Sequence, residues 1–449
     1  MEDLVPKHAA KEVTESDQPV TFRDVFAIRE YRAVYFSLVV NLVGDYLSRA
    51  AITVLVYQQS SSVLLSAAAF AISFLPWVVG GPVLSALADR FPYRSVLISS
   101  DLVRMCLIAL LLIPHLPVEV MLVVIFVSSL GAPPTQAARS ALLPLLVDAH
   151  RLPTALAMNA TTGQAAQVVG YLAGASLAAA INPQAALGID AITFGLSALL
   201  VLFGIRHRPA TRTSKERHLL RESGEGFRLV FGTETLRAIA LMAFVATMFV
   251  VVPEALAAAW AAEDSGSSAS RGLNQGLIMA AGPIGFVVGG ILVSRLFGTA
   301  QRERLIRPLA VLCPLALVPA FAGPPAPTVA ILVALAGMAV GGLIPTLNGK
   351  FVLILPHGYR ARAFGVMQSG VQLSQFGAVV VTGVLADHFR LPLVVGLWSV
   401  AGVIVMVTLV LRWPLPSAFA EAADQAAAVV SAPTARHALV TSRVTPERS

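Results

Sequence analysis

Between Ala33 and Trp413 the chain is a succession of apolar runs separated by short polar turns. Each run approaches the roughly 20 residues that a helix needs to cross a bilayer. The pattern predicts twelve helices, at about 33–56, 63–87, 95–113, 119–143, 154–181, 185–205, 237–260, 273–297, 305–322, 327–349, 361–386 and 391–412. Gly80–Arg104 shows how they are joined. One apolar segment ends in the charged turn Asp89-Arg90 with Arg94, and the next begins at once with Asp101 and Arg104 inside it. That is the grammar of a membrane hairpin. The first 32 residues are polar, without the apolar core and cleavage site of a signal peptide.

A basic stretch, 206–236, separates two halves, 33–205 and 237–412. The halves echo each other. Gly80-Gly81 recurs as Gly289-Gly290, and Gln164 and Gln167 recur at nearly the same offset as Gln372 and Gln375. The expected fold class is therefore an all-α membrane protein of two pseudo-symmetric six-helix bundles, a common carrier architecture with its site between the halves. Residues 413–449, rich in Ala, Ser, Thr and Pro, read as a disordered tail.

Composition agrees: 56% of the 449 residues are hydrophobic and 13% charged, with a mean hydropathy of +0.77, whereas soluble domains carry about 25% charged residues. The net charge of +7 does not point to nucleic acid, because Lys and Arg cluster in alternate turns. The segment before the first helix, the 206–236 stretch, Arg295–Arg307 and Lys350–Arg362 are basic, while QQSSS, PHLP, NPQ and GPPAP contain neither residue. Arg271 and Arg390 alone break the alternation. Positive turns stay inside, which predicts cytoplasmic termini and a multi-pass protein of the plasma (inner) membrane. Cys106 and Cys313 both fall in apolar runs and read as inert packing residues.

Chemistry at membrane depth is confined to few side chains. Asn41, Asp45 and Arg49 are spaced by four on one helix face. Asp45 lies about 18 Å along its helix at 1.5 Å per residue, where a charge costs at least ~2.5–3.5 kcal/mol. Either it pairs with Arg49 as structure, or it exchanges a proton, with Arg49 modulating its pKa or contacting an anionic group. Asp101 and Arg104, with Asp89, Arg90 and Arg94, form a charged cluster expected at the inner gate. Gln368, Gln372 and Gln375, with Gln164 and Gln167, are either interhelical glue or cavity lining. Glu254 and Asp190 read as shallower and solvated or structural. Phe70, Phe74 and Trp77 read as packing or as an aromatic wall. There is no GxxxxGK[ST] phosphate loop, and no histidine has a partner at metal-ligand spacing. No cofactor or metal is expected, and an enzyme or a receptor fits poorly.

GGPVLSALADRFPYR resembles the loop motif between helices 2 and 3 of the major facilitator superfamily, roughly GxLADRxGRR. Ala88-Asp89-Arg90 and Arg94 match it, while Ser85, Pro92 and Tyr93 replace Gly, Gly and Arg. Gly44-Asp45, SDLVR around Asp101, ALLPLLV with Asn159, DAITFGLSALL from Asp190 and RAFGVMQSGVQL from Arg362 are similar to exporters of the enterobactin and macrolide efflux branch. Gly170-Tyr171 and Gly174-Ala175 stand where antiporters carry GP and GG. The usual arginine of helix 4 has no clear match, Arg139 being placed near the cytoplasmic end. GVLAD at Gly383–Asp387 copies the loop motif on the outer side.

The resemblance implies secondary export, by alternating access, of a drug, siderophore or other small amphipathic or lipophilic natural product in exchange for protons. Import by proton symport and lipid carriage are the alternatives within transport. A monomer is expected, with the bilayer as its other partner.

Overall fold

The structure is a computed structural model that describes residues 21–79, 90–208, 219–263, 266–356 and 359–424. Among them it is helical throughout, without a strand. A short helix, α1 (Phe22–Phe26), opens the chain, and the Thr21 amide donates to Asp24 at 2.8 Å at its start. The first half continues with α2 (Arg29–Ser60), α3 (Val63–Ala71), α4 (Leu75–Val79), α5 (Tyr93–Leu110), α6 (Val118–Ser129), α7 (Ala132–Leu146), α8 (Leu152–Ala180) and α9 (Pro183–Gly204). After α10 (Leu219–Gly232), the second half comprises α11 (Glu234–Ala262), α12 (Ser268–Leu296), α13 (Thr299–Leu315), α14 (Ala326–Ile354), α15 (Arg360–His388) and α16 (Leu391–Leu411).

Turn chemistry sets the ends. Ser62, Asn182 and Ser267 each accept an amide from the first turn of α3, α9 and α12, at 3.1, 2.7 and 3.2 Å, the work of an N-cap. Pro183 and Pro392 sit in first turns, where a missing N–H costs nothing. The predicted helix over 119–143 breaks into α6 and α7 at Gly131, just before Pro133-Pro134. The break lets α5 in: Ser100 donates to Gly131 O, and a Cβ on Gly131 would stand 3.0 Å from Arg104 Cδ.

Nine helices among the described residues are long and apolar enough to cross a membrane, against the twelve predicted. The shortfall has physical causes. Tyr93–Leu110 carries Arg94, Asp101 and Arg104, and Leu152–Ala180 is diluted by Asn159, Thr161, Thr162, Gln164 and Gln167. The second predicted helix runs on into residues 80–89, outside the described set, where Gly80, Gly81 and Asp89 also fall. Two boundaries differ as well. Part of the polar 206–236 stretch is the helix α10, and the predicted disordered tail is ordered at its start. Residues 416–424 are helical, with Phe419 buried against Trp413 at 5.4 Å and Lys350 Nζ 4.7 Å from its ring.

Within the first half α2 packs on α8 and α9, and α9 on α5. In the second, α12 and α14 make the tightest pair, along Gly282, Gly285, Gly289, Gly337 and Gly341. A Cβ on Gly289 would stand 2.8 Å from Met338 Cα, and one on Gly341 2.7 Å from Phe286 Cα. Small residues four apart allow backbones this close, as in membrane helix pairs generally. Large side chains such as Phe203, Ile192 and Leu411 stand exposed around the outside, the surface of a protein solvated by lipid.

The halves touch through α8 on α12, α3 on α15 and α11 on α2 and α3. Their described hydrogen bonds gather at the end that carries the turns after Ser60, Ala180 and His388. Asp387 accepts from Ser62 Oγ, Val63 N and Leu64 N at 2.9, 2.7 and 3.1 Å. Ser268 Oγ donates to Ala179 O at 2.5 Å, and Gln275 Nε2 to Ala50 O and Thr53 Oγ1 at 3.0 and 3.1 Å. Farther along, Ser369 Oγ reaches Trp77 O at 3.2 Å.

Candidate functional site

A cavity of about 450 Å³ lies between the halves, lined by both. From the first half come Asp45, Tyr46 and Arg49 of α2, Phe70 of α3, Arg104 of α5 and Arg139 of α7. From the second come Glu254 of α11, Phe286 of α12 and Gln368, Gln372 and Gln375 of α15. Gln164, Gln167 and Tyr171 of α8, with Phe74 and Trp77, complete the wall used below. The glutamines from the two halves thus share one surface. Phe70, Phe74 and Trp77 form part of it too, Phe70 and Phe74 edge to face at 5.6 Å.

The ion pairs differ from those the helix spacing suggested. Asp45 pairs with Arg104, on α5, rather than with Arg49. Arg104 reaches it through the space at Gly131, its guanidinium 4.3 Å from the Phe194 ring centroid. Four residues along a helix brings Asp45 and Arg49 to one face, but Arg49 turns into an aromatic box. Its guanidinium carbon is 5.5, 5.4 and 5.8 Å from the ring centroids of Tyr46, Phe70 and Phe74. Cations over aromatic faces gain about 0.5–2 kcal/mol each as they are desolvated. Glu254, read as shallow, is buried on the same wall, within electrostatic reach of Arg49 and Tyr171. The buried Tyr171 hydroxyl lies among Glu254, Arg49 and Gln167.

The expected inner-gate cluster is dispersed. Asp101 is 1% exposed and accepts from Asn41 Nδ2 at 2.9 Å and Ser197 Oγ at 2.6 Å. Asn41 is thereby turned towards α5 and does not line the cavity. Arg94 donates to Leu202 O at 2.6 Å, Arg90 is exposed, and Asp89 lies outside the described residues. Arg104 belongs to the cavity, drawn there by Asp45. Arg139 does too: it is buried, with Asp101, Asp45 and Arg104 as its charged neighbours, and its Nε and Nη2 have no hydrogen-bond partner among the described residues. Asp190 is fully buried where α9 meets α2, beside Ser48, with its Oδ1 3.2 Å from Thr193 Oγ1. Cys313 is packed as expected, its thiol donating to Ala246 O at 3.2 Å, but Cys106 is exposed on α5.

Sequence reasoning missed Arg139 and Glu254. Each is a lone charge in an apolar stretch, SALLPLL after one and VVVP before the other, which is itself a signal of function at membrane depth. Among the described residues no group of His, Cys, Asp and Glu could hold a metal ion.

A helical bundle with an outer lipid-facing surface and a charged cavity between two halves defines a membrane transporter, not an enzyme. The sequence model of the Major Facilitator Superfamily matches residues 34–321, and the chain belongs to that family. It is 24% identical over 233 residues to macrolide efflux protein A of Streptococcus pyogenes, across 50% of this chain and 56% of that protein. It is 27% identical over 191 residues to macrolide efflux protein A of Enterococcus faecalis, across 40% of this chain and 58% of that one. The matched region thus spans little more than half the length of these relatives. Among solved structures, a POT family transporter in complex with 5-aminolevulinic acid superposes with a TM-score of 0.68 at 11% identity, over 88% of this chain and 98% of that one. The nucleoside transporter NupG gives 0.66 at 14%, over 85% and 99%. At these identities the structures speak for the fold alone.

Proposed function

We propose that the protein is a secondary exporter that carries a small amphipathic molecule out of the cell in exchange for protons, by alternating access. The observation that carries this reading is the cavity between the halves with the Asp45–Arg104 pair on its wall. A carboxylate open to a cavity can take up a proton, and its loss of charge frees Arg104 and alters the attraction across the site. Aromatic rings beside the glutamines suit a ligand that is partly apolar. The macrolide efflux relatives favour export of drug-like natural products.

In this reading twelve spanning helices, α2, α3–α4, α5, α6–α7, α8, α9 and α11 to α16, make two six-helix bundles over 33–205 and 237–412. Both termini are cytoplasmic, the membrane is the plasma membrane, and the working unit is a monomer. The hydrogen bonds around Asp387, Ser268 and Gln275 then close the outer end, leaving substrate to enter from the cytoplasm.

Everted vesicles with a pH-sensitive dye test the coupling. Addition of substrates from a panel of amphipathic compounds releases protons in vesicles with the native protein and not with Asp45→Asn. Coupled export at the native rate by Asp45→Asn would remove Asp45 from this role. A panel that moves substrate without a proton signal would overturn proton exchange.

A further inference from the structure

Far from the central cavity, a groove of about 440 Å³ lies where the ends of α2, α7 and α9 meet, at the polar rim of the first half. Its rim is cationic. Arg29 is the first residue of α2, and Arg206 and Arg208 follow α9 directly. Glu30 holds the latter two side by side: Arg208 Nη1 is 2.7 Å from Glu30 Oε2, and Arg206 Nε 3.6 Å from Oε1. Three guanidinium groups against one carboxylate leave a local charge of about +2. Glu30 engages one nitrogen of each of two guanidinium groups that carry five N–H donors apiece. Among the described residues no other acceptor takes the remaining donors, which can therefore meet a second anion, and the Arg206 side chain is 88% exposed.

The floor of the groove is apolar. Phe203, in the last turn of α9, is 79% exposed, and Leu145, in the last turn of α7, is 53% exposed. Both occupy the last turn of apolar helices, where acyl chains give way to headgroups. A soluble anion would use the arginines and leave Phe203 and Leu145 idle. A phospholipid would use both. We propose that this groove is a binding site for an anionic phospholipid, its phosphate held by Arg29, Arg206 and Arg208 and its acyl chains lying along Phe203 and Leu145. Basic pockets between helix ends on the cytoplasmic side suit such headgroups. Glu30 acts as the positioning residue, setting the spacing of two of the three cations.

The experiment uses the full chain purified in detergent and mixed with equal amounts of phosphatidylglycerol and phosphatidylcholine. Native mass spectrometry reads the lipid retained. Phosphatidylglycerol is expected to be kept in preference, and Arg206→Gln to reduce its retention about 5-fold, the factor equivalent to about 1 kcal/mol for one basic side chain at an anionic surface. Arg206 is exposed enough that this variant keeps the fold. Arg29→Gln with Arg206→Gln and Arg208→Gln is expected to abolish the preference, and Arg302→Gln, on the other half, to leave it intact. An excess of inorganic phosphate should not displace the lipid. Equal retention of the two lipids, unchanged retention in the Arg206→Gln and triple variants, an equal loss in Arg302→Gln, or full displacement by phosphate would overturn the proposal.

Discussion

The Asp387 carboxylate, at the end of α15, accepts the Val63 amide of α3 at 2.7 Å and so caps a helix that belongs to the opposite half. The same carboxylate takes Leu64 N and Ser62 Oγ. Removing a helix cap costs about 0.5–2 kcal/mol, and one or two kcal/mol moves an equilibrium about 5–30-fold. Asp387→Ala is therefore expected to raise the share of molecules separated at this end. Spin labels at Gln59 and Arg390, both exposed, would report a longer distance component by pulsed EPR. An unchanged distance distribution would mean that the capping bonds contribute nothing to closure.

Gln275 makes a second tie at the same end, from α12 to α2. Gln275→Leu leaves the Thr53 hydroxyl its bond to Ala50 O at 2.8 Å, so little is left unsatisfied. The two ties share no partner, and their effects on the separated population should multiply in the double variant with Asp387→Ala. The same spectra check this. A double variant no more open than either single one would show that one tie controls the other.

Arg49 is held by rings instead of a carboxylate. Arg49→Lys keeps the charge but loses the flat guanidinium that spreads over Tyr46, Phe70 and Phe74. A loss of about 1 kcal/mol in thermal stability is expected, with a larger loss for Arg49→Gln, which also deprives Glu254 of its cationic neighbour. Unfolding followed by tryptophan fluorescence measures both. Equal stability of Arg49→Lys and the native protein would remove the rings from the account.

Cys106 and Cys313 should separate cleanly by reactivity. Cys106 is exposed on α5 and Cys313 fully buried, so a membrane-permeant maleimide should label Cys106 faster than Cys313 in the native chain, and Cys106→Ala should remove that faster labelling. Mass spectrometry counts the adducts. Labelling of Cys313 as fast as that of Cys106 in the folded protein would contradict its packing.

Most helices, the turns between them and the family were legible in the sequence, because long apolar runs and the ALADRFPYR turn are local features. Partner choice was not. Asp45 and Arg49 are neighbours along the helix, yet Asp45 finds Arg104 across a space that only Gly131 leaves open. No local pattern ties position 131 to position 45. The depth of Glu254 was hidden for a related reason. Counting along α11 places it towards one end, and its burial follows from α2 and α3 of the other half packing against that helix. The GVLAD copy near Asp387 had a legible sequence and an illegible role, since its partner is 324 residues away.

The glycine seam between α12 and α14 bears on how the two halves can move. A Cβ at Gly289 or Gly341 would press on backbone, where no side chain can swing aside. Gly341→Ala is therefore expected to lower stability by about 1–3 kcal/mol, read as an earlier thermal transition. A seam with no slack also cannot bend under load. In the alternating access proposed above, the second half would then move as a single stiff beam, and opening and shutting would be taken up where α12 meets α8 and α15 meets α3.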